Sequence, residues 1–146
     1  MSLKPKHVGT YLDRASKLLK QTYLRSFREL GSDLSTEQWV LLDILYKEDG
    51  VSQAELASNS YKNAPTVSRI IDLMVGKNLL QRRRFPNDRR RYRIYLTTAG
   101  KELYEKLLPK VEELRQQTWS GLNEHDYEEL KRILSQVIDN FPLEEG

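Results

Sequence analysis

Cysteine is absent from these 146 residues, which excludes disulfides, thiolate nucleophiles, thiol redox sensing and cysteine-ligated zinc together. Histidine is nearly absent: His7 and His125 stand towards opposite ends and neither has a His/Glu cluster around it, so no metal site is expected. No apolar run approaches the roughly 18 residues that a membrane span needs. Met1 to Lys20 lacks the apolar stretch of a secretory signal. A cytoplasmic protein without membrane contact is therefore expected. No phosphate-binding glycine loop is present and neither histidine lies in a nucleophile motif. The acids fall at solvent spacing on helices, so an enzyme is not expected.

What the chain does have is arginine in one place. Arg82, Arg83, Arg84, Arg89, Arg90, Arg91 and Arg93 fall within twelve residues, with Asp88 the only acid among them. That window is +6 in a chain of formal net charge +3, which leaves −3 for all the rest. The positive charge is a local device, and a concentrated basic patch attracts a phosphate backbone through Coulomb attraction and counterion release.

The surrounding pattern is helical. Leu12, Ala15, Leu18, Leu19, Tyr23, Phe27 and Leu30 recur at helical spacing over Val8 to Leu30, before Gly31-Ser32-Asp33 breaks the run. Ser35 with Gln38 has the spacing of a capping box and opens a helix that Asp49-Gly50 ends; Ser52 with Glu55 repeats the box. A polar turn from Ser58 to Lys62 precedes a helix from Asn63-Ala64, where Pro65 is acceptable because the first turn has no bonded donor to lose. Val67, Ile70, Ile71 and Met74 form its buried stripe and Pro65, Ser68, Arg69 and Asp72 its opposite face. Asn78 suits the left-handed residue that stops it.

Alternation of Tyr92, Ile94 and Leu96 with Arg91, Arg93 and Tyr95 predicts a strand. Leu79 to Arg84 is its expected partner, with Phe85-Pro86-Asn87-Asp88 as the turn. Thr97 or Thr98 should cap a long helix kinked by Pro109 near Glu105 to Leu108. A last helix from Asn123 should bury Tyr127, Leu130, Leu134, Val137, Ile138 and Phe141.

A mainly α chain with one small β-hairpin follows, and helix, tight turn, helix and basic hairpin is the order of a winged helix-turn-helix. In that geometry the second helix of the pair enters the major groove of DNA. Asn63, Pro65, Thr66, Ser68 and Arg69 are the candidate contacts there, Arg69 suiting bidentate pairing with guanine. An Asp72–Arg69 pair at i, i+3 is expected. Arg89 and Arg90 at the turn suit a narrow minor groove, Arg91 and Arg93 suit phosphates, and Asp88 with Arg82 is the expected internal support of the wing. An adaptor or RNA-binding role for the hairpin is the alternative, since an arginine-rich ribbon can track an A-form backbone. In a lone chain, Leu12, Leu19, Tyr127, Leu130, Leu134, Val137, Ile138 and Phe141 would form an exposed apolar patch, which points to a homodimer.

The stretch Leu34 to Gly100 resembles the MarR family of bacterial transcriptional regulators. The matching pieces are Leu34-Ser35…Gln38-Trp39, Gln53-Ala54-Glu55-Leu56-Ala57, Thr66-Val67-Ser68-Arg69, Leu79-Leu80-Gln81-Arg82, Asp88-Arg89-Arg90 and Leu96-Thr97-Thr98-Ala99-Gly100. Asn78 stands where glycine is common, and Arg83, Arg84, Arg91 and Arg93 exceed the usual charge of such a wing. The resemblance implies one domain over residues 1–146, with a winged helix-turn-helix at 34–97 between dimerisation helices at 5–31 and 98–143. It implies a homodimeric repressor on a pseudopalindromic double-stranded DNA operator. It also implies release by a small aromatic or anionic effector, for which Tyr11, Arg14, Lys17, Trp39 and Tyr95 are the candidate pocket.

Overall fold

The computed structural model describes residues 7–60 and 63–142. Tyr61 and Lys62 of the expected turn, and the outermost residues of both flanking segments, lie outside the described residues. The elements are α1 (Val8–Glu29), α2 (Thr36–Lys47), α3 (Gln53–Asn59), α4 (Ala64–Gly76), β1 (Leu80–Phe85), β2 (Asp88–Leu96), α5 (Thr98–Thr118) and α6 (Glu124–Asp139). This is a mainly helical winged helix-turn-helix with flanking helices. Ser58 and Asn59, expected in the turn, complete α3 instead.

Side-chain caps set where helices begin. Ser35 Oγ accepts the Gln38 N–H at 3.2 Å while Gln38 Oε1 accepts the Ser35 N–H at 3.1 Å, the reciprocal box that the spacing predicts. At Ser52 only half of the predicted box forms: its hydroxyl accepts the Glu55 N–H at 3.1 Å. Asn63 Oδ1 accepts from Thr66 N at 2.9 Å, and Thr97 Oγ1 accepts from Gly100 N at 3.0 Å. Gly100 has a second reason to be glycine, since a Cβ there would stand 2.3 Å from the Leu79 carbonyl oxygen.

The core lies between α2, α4, β2 and one face of α5. Leu41, Leu42, Leu45, Leu56, Val67, Ile71, Met74, Ile94, Leu107 and Val111 are fully buried. Phe27, from the end of α1, joins them against Trp39 at 5.9 Å between ring centroids; Trp39 stacks on Tyr104 at 4.7 Å, and Tyr104 on Tyr46 at 4.2 Å. Tyr104 donates to Asp43 Oδ1 at 2.6 Å. Burial first, then that bond to a carboxylate, pushes its phenol well above the ordinary tyrosine range.

The hairpin is antiparallel, with Leu80 opposite Leu96, Arg82 opposite Ile94 and Arg83 opposite Arg93. The partner strand is one residue later than expected, and Phe85 pairs with Asp88 across a bulge. The other edge of β2 is occupied as well: Gly50 N donates to Ile94 O and Ile94 N to Val51 O, both at 2.9 Å. The helix α5 runs on through Pro109. Tyr104, Leu107, Val111 and Leu114 are buried on both sides of the proline. The helix α6 buries none of its residues within the chain, as expected of a lone copy. No helix among the described residues is long and apolar enough to cross a membrane.

Candidate nucleic-acid interface

The inward stripe of α4 is fixed by the core, so its other face is fixed too. Val67, Ile70, Ile71 and Met74 are buried; Pro65, Arg69 and Asp72 are exposed, with Thr66 and Ser68 half-buried. Asn63 stands at the mouth of this helix with its side-chain oxygen occupied in capping. Asn78 adopts φ 60°, the left-handed stop that its side chain tolerates, and the chain turns directly into β1.

The wing meets α4 through Arg82. Its guanidinium reaches Asp72 Oδ1 at 2.5 Å and the Ser68 carbonyl at 3.2 Å, while its Nε reaches Gln53 Oε1 at 3.4 Å. One arginine therefore ties β1 to both helices of the pair. Two expected pairs give way to this arrangement. Asp72 binds Arg82 rather than Arg69, which leaves Arg69 exposed. Arg82 cannot serve Asp88, because strand pairing sets it opposite Ile94 and so away from the tip. Asp88 does support the wing, but through backbone: its Oδ1 accepts the Arg90 N–H at 3.0 Å, a local turn bond of the kind aspartate favours.

A concave groove of about 470 Å³ lies between α3, α4 and the wing, with Gln53, Ala64, Ser68, Arg82, Arg90 and Tyr92 on its walls. Arg69, Arg89 and Arg90 have guanidinium groups without a hydrogen bond or ion pair to any of the described residues. The free positive charge thus flanks a groove whose floor is the exposed face of α4. Arg91 stacks on Phe85 at 4.2 Å and also borders the groove. Arg93, on the same face of β2 as Arg91, does not border the groove: it donates to the Gly50 carbonyl at 3.1 Å and stacks on Phe85 at 4.5 Å.

Gln53, Phe85 and Tyr92 escaped the sequence reading. Phe85 looked like a turn residue, and only the register shows it beneath two arginines. The signal for Tyr92 was present in strand alternation, but its place between Arg82 and Arg84, 5.9 and 6.0 Å from its ring, needs the pairing.

The five residues expected around an effector are not brought together in one chain. Tyr11, Arg14 and Lys17 are exposed on α1, with Lys17 paired to Asp13 at 2.9 Å. Trp39 is 4% exposed, drawn into the core between Phe27 and Tyr104 by the gain from burying its ring. Tyr95 packs behind the wing, against Gly50 and beneath Arg83.

A helix pair braced to a basic two-stranded wing defines a winged helix-turn-helix protein with its cationic side on the exposed helix face. The MarR family profile matches residues 34–92. The chain is similar to the HTH-type transcriptional repressor IacR of Pseudomonas putida, 26% identical over 132 residues, covering 90% of this chain and 73% of that one. It is similar to the S. aureus MepR–DNA complex at 30% identity and a TM-score of 0.77, covering 90% and 97% of the two chains. A structure concerning regulation of DNA binding of Bordetella bronchiseptica BpsR by 6-hydroxynicotinic acid matches at 26% identity and a TM-score of 0.78, covering 93% and 99%. The chain belongs to the MarR family.

Proposed function

We propose that this protein is a sequence-specific, double-stranded DNA-binding transcriptional regulator, acting in the cytoplasm as a homodimeric repressor. The observation that carries the reading is the alignment of uncommitted cation with an exposed helix face. Among the described residues, Arg69 on α4 and Arg89 and Arg90 on the wing have no partner for their guanidinium groups, while Asp72 is neutralised by Arg82. On this reading Pro65, Thr66, Ser68 and Arg69 meet base edges in the major groove. Asn63 shapes the start of that helix, Arg89 and Arg90 enter the adjacent minor groove, and Arg91 meets phosphate. The relatives named as a repressor and found with DNA support it.

The dimer is supported by unpaired apolar surface. On α6, Tyr127, Leu130, Ile133, Val137 and Ile138 are each between 43% and 49% exposed, and Leu12, Leu18 and Leu19 of α1 between 41% and 53%. Soluble chains rarely leave so much contiguous apolar surface in water. A second copy covering it would assemble residues 1–146 as one unit, the winged part at 34–97 between interleaved flanking helices. Modulation by a small ligand is supported by the BpsR relative. In that case the dimer, rather than one chain, must supply the pocket, because the five candidate side chains stand apart here.

Selection of bound sequences from a random duplex library near physiological salt tests the proposal. The expected result is an enriched pseudopalindrome whose half-sites lie about 34–36 Å apart, one helical turn. Salt-sensitive binding without enrichment would reject sequence-specific regulation.

A further inference from the structure

Arg93 differs from the other wing arginines in what its guanidinium holds, the Gly50 carbonyl of the α2–α3 turn. On its face of β2 lies a polar hollow of about 290 Å³ bordered by Glu48, Asp49 and Glu55, with Arg91 also at its edge. Three carboxylates around Arg93 disfavour a phosphate there, whereas Arg91 also borders the groove beside α4. The guanidinium turns home instead, to the Gly50 carbonyl at 3.1 Å and the Phe85 ring at 4.5 Å. Arg83, directly opposite in the strand register, would repel it. The two part along the face, Arg83 lying over Tyr95 at 4.7 Å.

The backbone beneath is tied at the same place. Gly50 N to Ile94 O, Ile94 N to Val51 O and Leu96 N to Asp49 Oδ1 are each 2.9 Å. Gly50 itself sits at φ +78°, and a Cβ there would come within 2.9 Å of the Tyr95 ring. The turn between α2 and α3 therefore closes directly on the wing.

We propose that Arg93 is a positioning residue that fixes the wing against the α2–α3 turn, as Arg82 fixes it against α4, and that it makes no phosphate contact. A wing held from both faces keeps Arg89 and Arg90 at one distance from Arg69, so that minor-groove and base contacts share a register. This consequence for DNA rests on the function proposed above; the tether itself does not.

Hydrogen exchange on the full chain without DNA reads the tether at the amides of Gly50, Ile94 and Leu96. Arg93→Ala should speed their exchange about tenfold, while Arg89→Ala leaves it unchanged. Binding to one fixed duplex of random sequence across a salt series reads phosphate contact. Arg89→Ala should lower the slope of log affinity against log salt by about 0.9, while Arg93→Ala and the milder Arg93→Gln leave it unchanged. A slope lowered by that amount in either Arg93 variant overturns the proposal, and so does wild-type exchange in Arg93→Ala. If the wild-type protein shows no salt-sensitive duplex binding, the DNA reading fails, and exchange alone still decides whether Arg93 holds the wing.

Discussion

The winged half and the last helix are drawn in the same pattern, yet they end in opposite environments. In α4, Val67, Ile70, Ile71 and Met74 make a stripe that is buried in the chain itself. In α6, Tyr127, Leu130, Leu134, Val137 and Ile138 make a stripe of the same spacing, and not one residue of that helix is buried. The helix α5 stands between the two, with Tyr104, Leu107, Val111 and Leu114 closed on the core. Helical periodicity states that a face will leave water; it does not say whether the cover comes from the same chain or another. The winged half closes its core within one copy, and α6 leaves its stripe in water there.

The largest expected effect tests the self-sufficient side. Leu45 is fully buried in α2, and Leu45→Ala should cost about 2–5 kcal/mol through lost burial and the cavity left behind. The urea midpoint should fall by the same amount at every protein concentration. A smaller and differently shaped effect is expected at Ile138, which is 49% exposed in the chain. Ile138→Ala removes three carbons from each copy and, with half of each already buried, should weaken the dimer by about 2 kcal/mol. By mass action the loss should appear chiefly in dilute protein, where sedimentation should show monomer. A concentration-independent loss would mean that α6 packs within one chain, and the contrast between the halves would collapse.

The same contrast explains how much could be read from the sequence. Local signals were legible: the Ser35–Gln38 box, the α4 stripe and the left-handed Asn78 depend on residues a few positions apart. The Leu96-Thr97…Gly100 piece was legible for the same reason, since Thr97 caps and Gly100 fits beneath Leu79. Contacts that depend on chain reversal were not. Asp72 and Arg82 are ten residues apart, and only the turn at Asn78 brings helix and strand together. Until that turn is fixed, Arg69 is the nearer partner for Asp72 and Asp88 the nearer one for Arg82, and both nearer choices were wrong. The same holds for the candidate interface: residue types marked the wing as cationic, but register decided that Arg90 faces α4 and Arg93 faces the α2–α3 turn. The five effector candidates stand apart within one chain, and no pattern within one chain could bring them together.

Several surface contacts reach between the two halves, among them Lys20–Glu37 at 3.4 Å, and a further one sets the smallest expected effect. Asp33, in the connection after α1, accepts from Lys77 Nζ at 3.1 Å, where Lys77 caps the end of α4. That hydrogen bond, and then the ammonium charge itself, holds the Asp33 carboxyl below its ordinary value. A carboxyl depressed in the folded state binds fewer protons there than in the unfolded chain. Its stabilisation is therefore present above about pH 4 and fades as pH falls through the lower folded value. Asp33 is largely exposed, so solvent screening keeps the contribution to about 0.2–1 kcal/mol. Asp33→Asn should lower the urea midpoint slightly at pH 7, and the gap from wild type should narrow as acid protonates Asp33. An equal gap at both ends of that range would show that the pair is not its source.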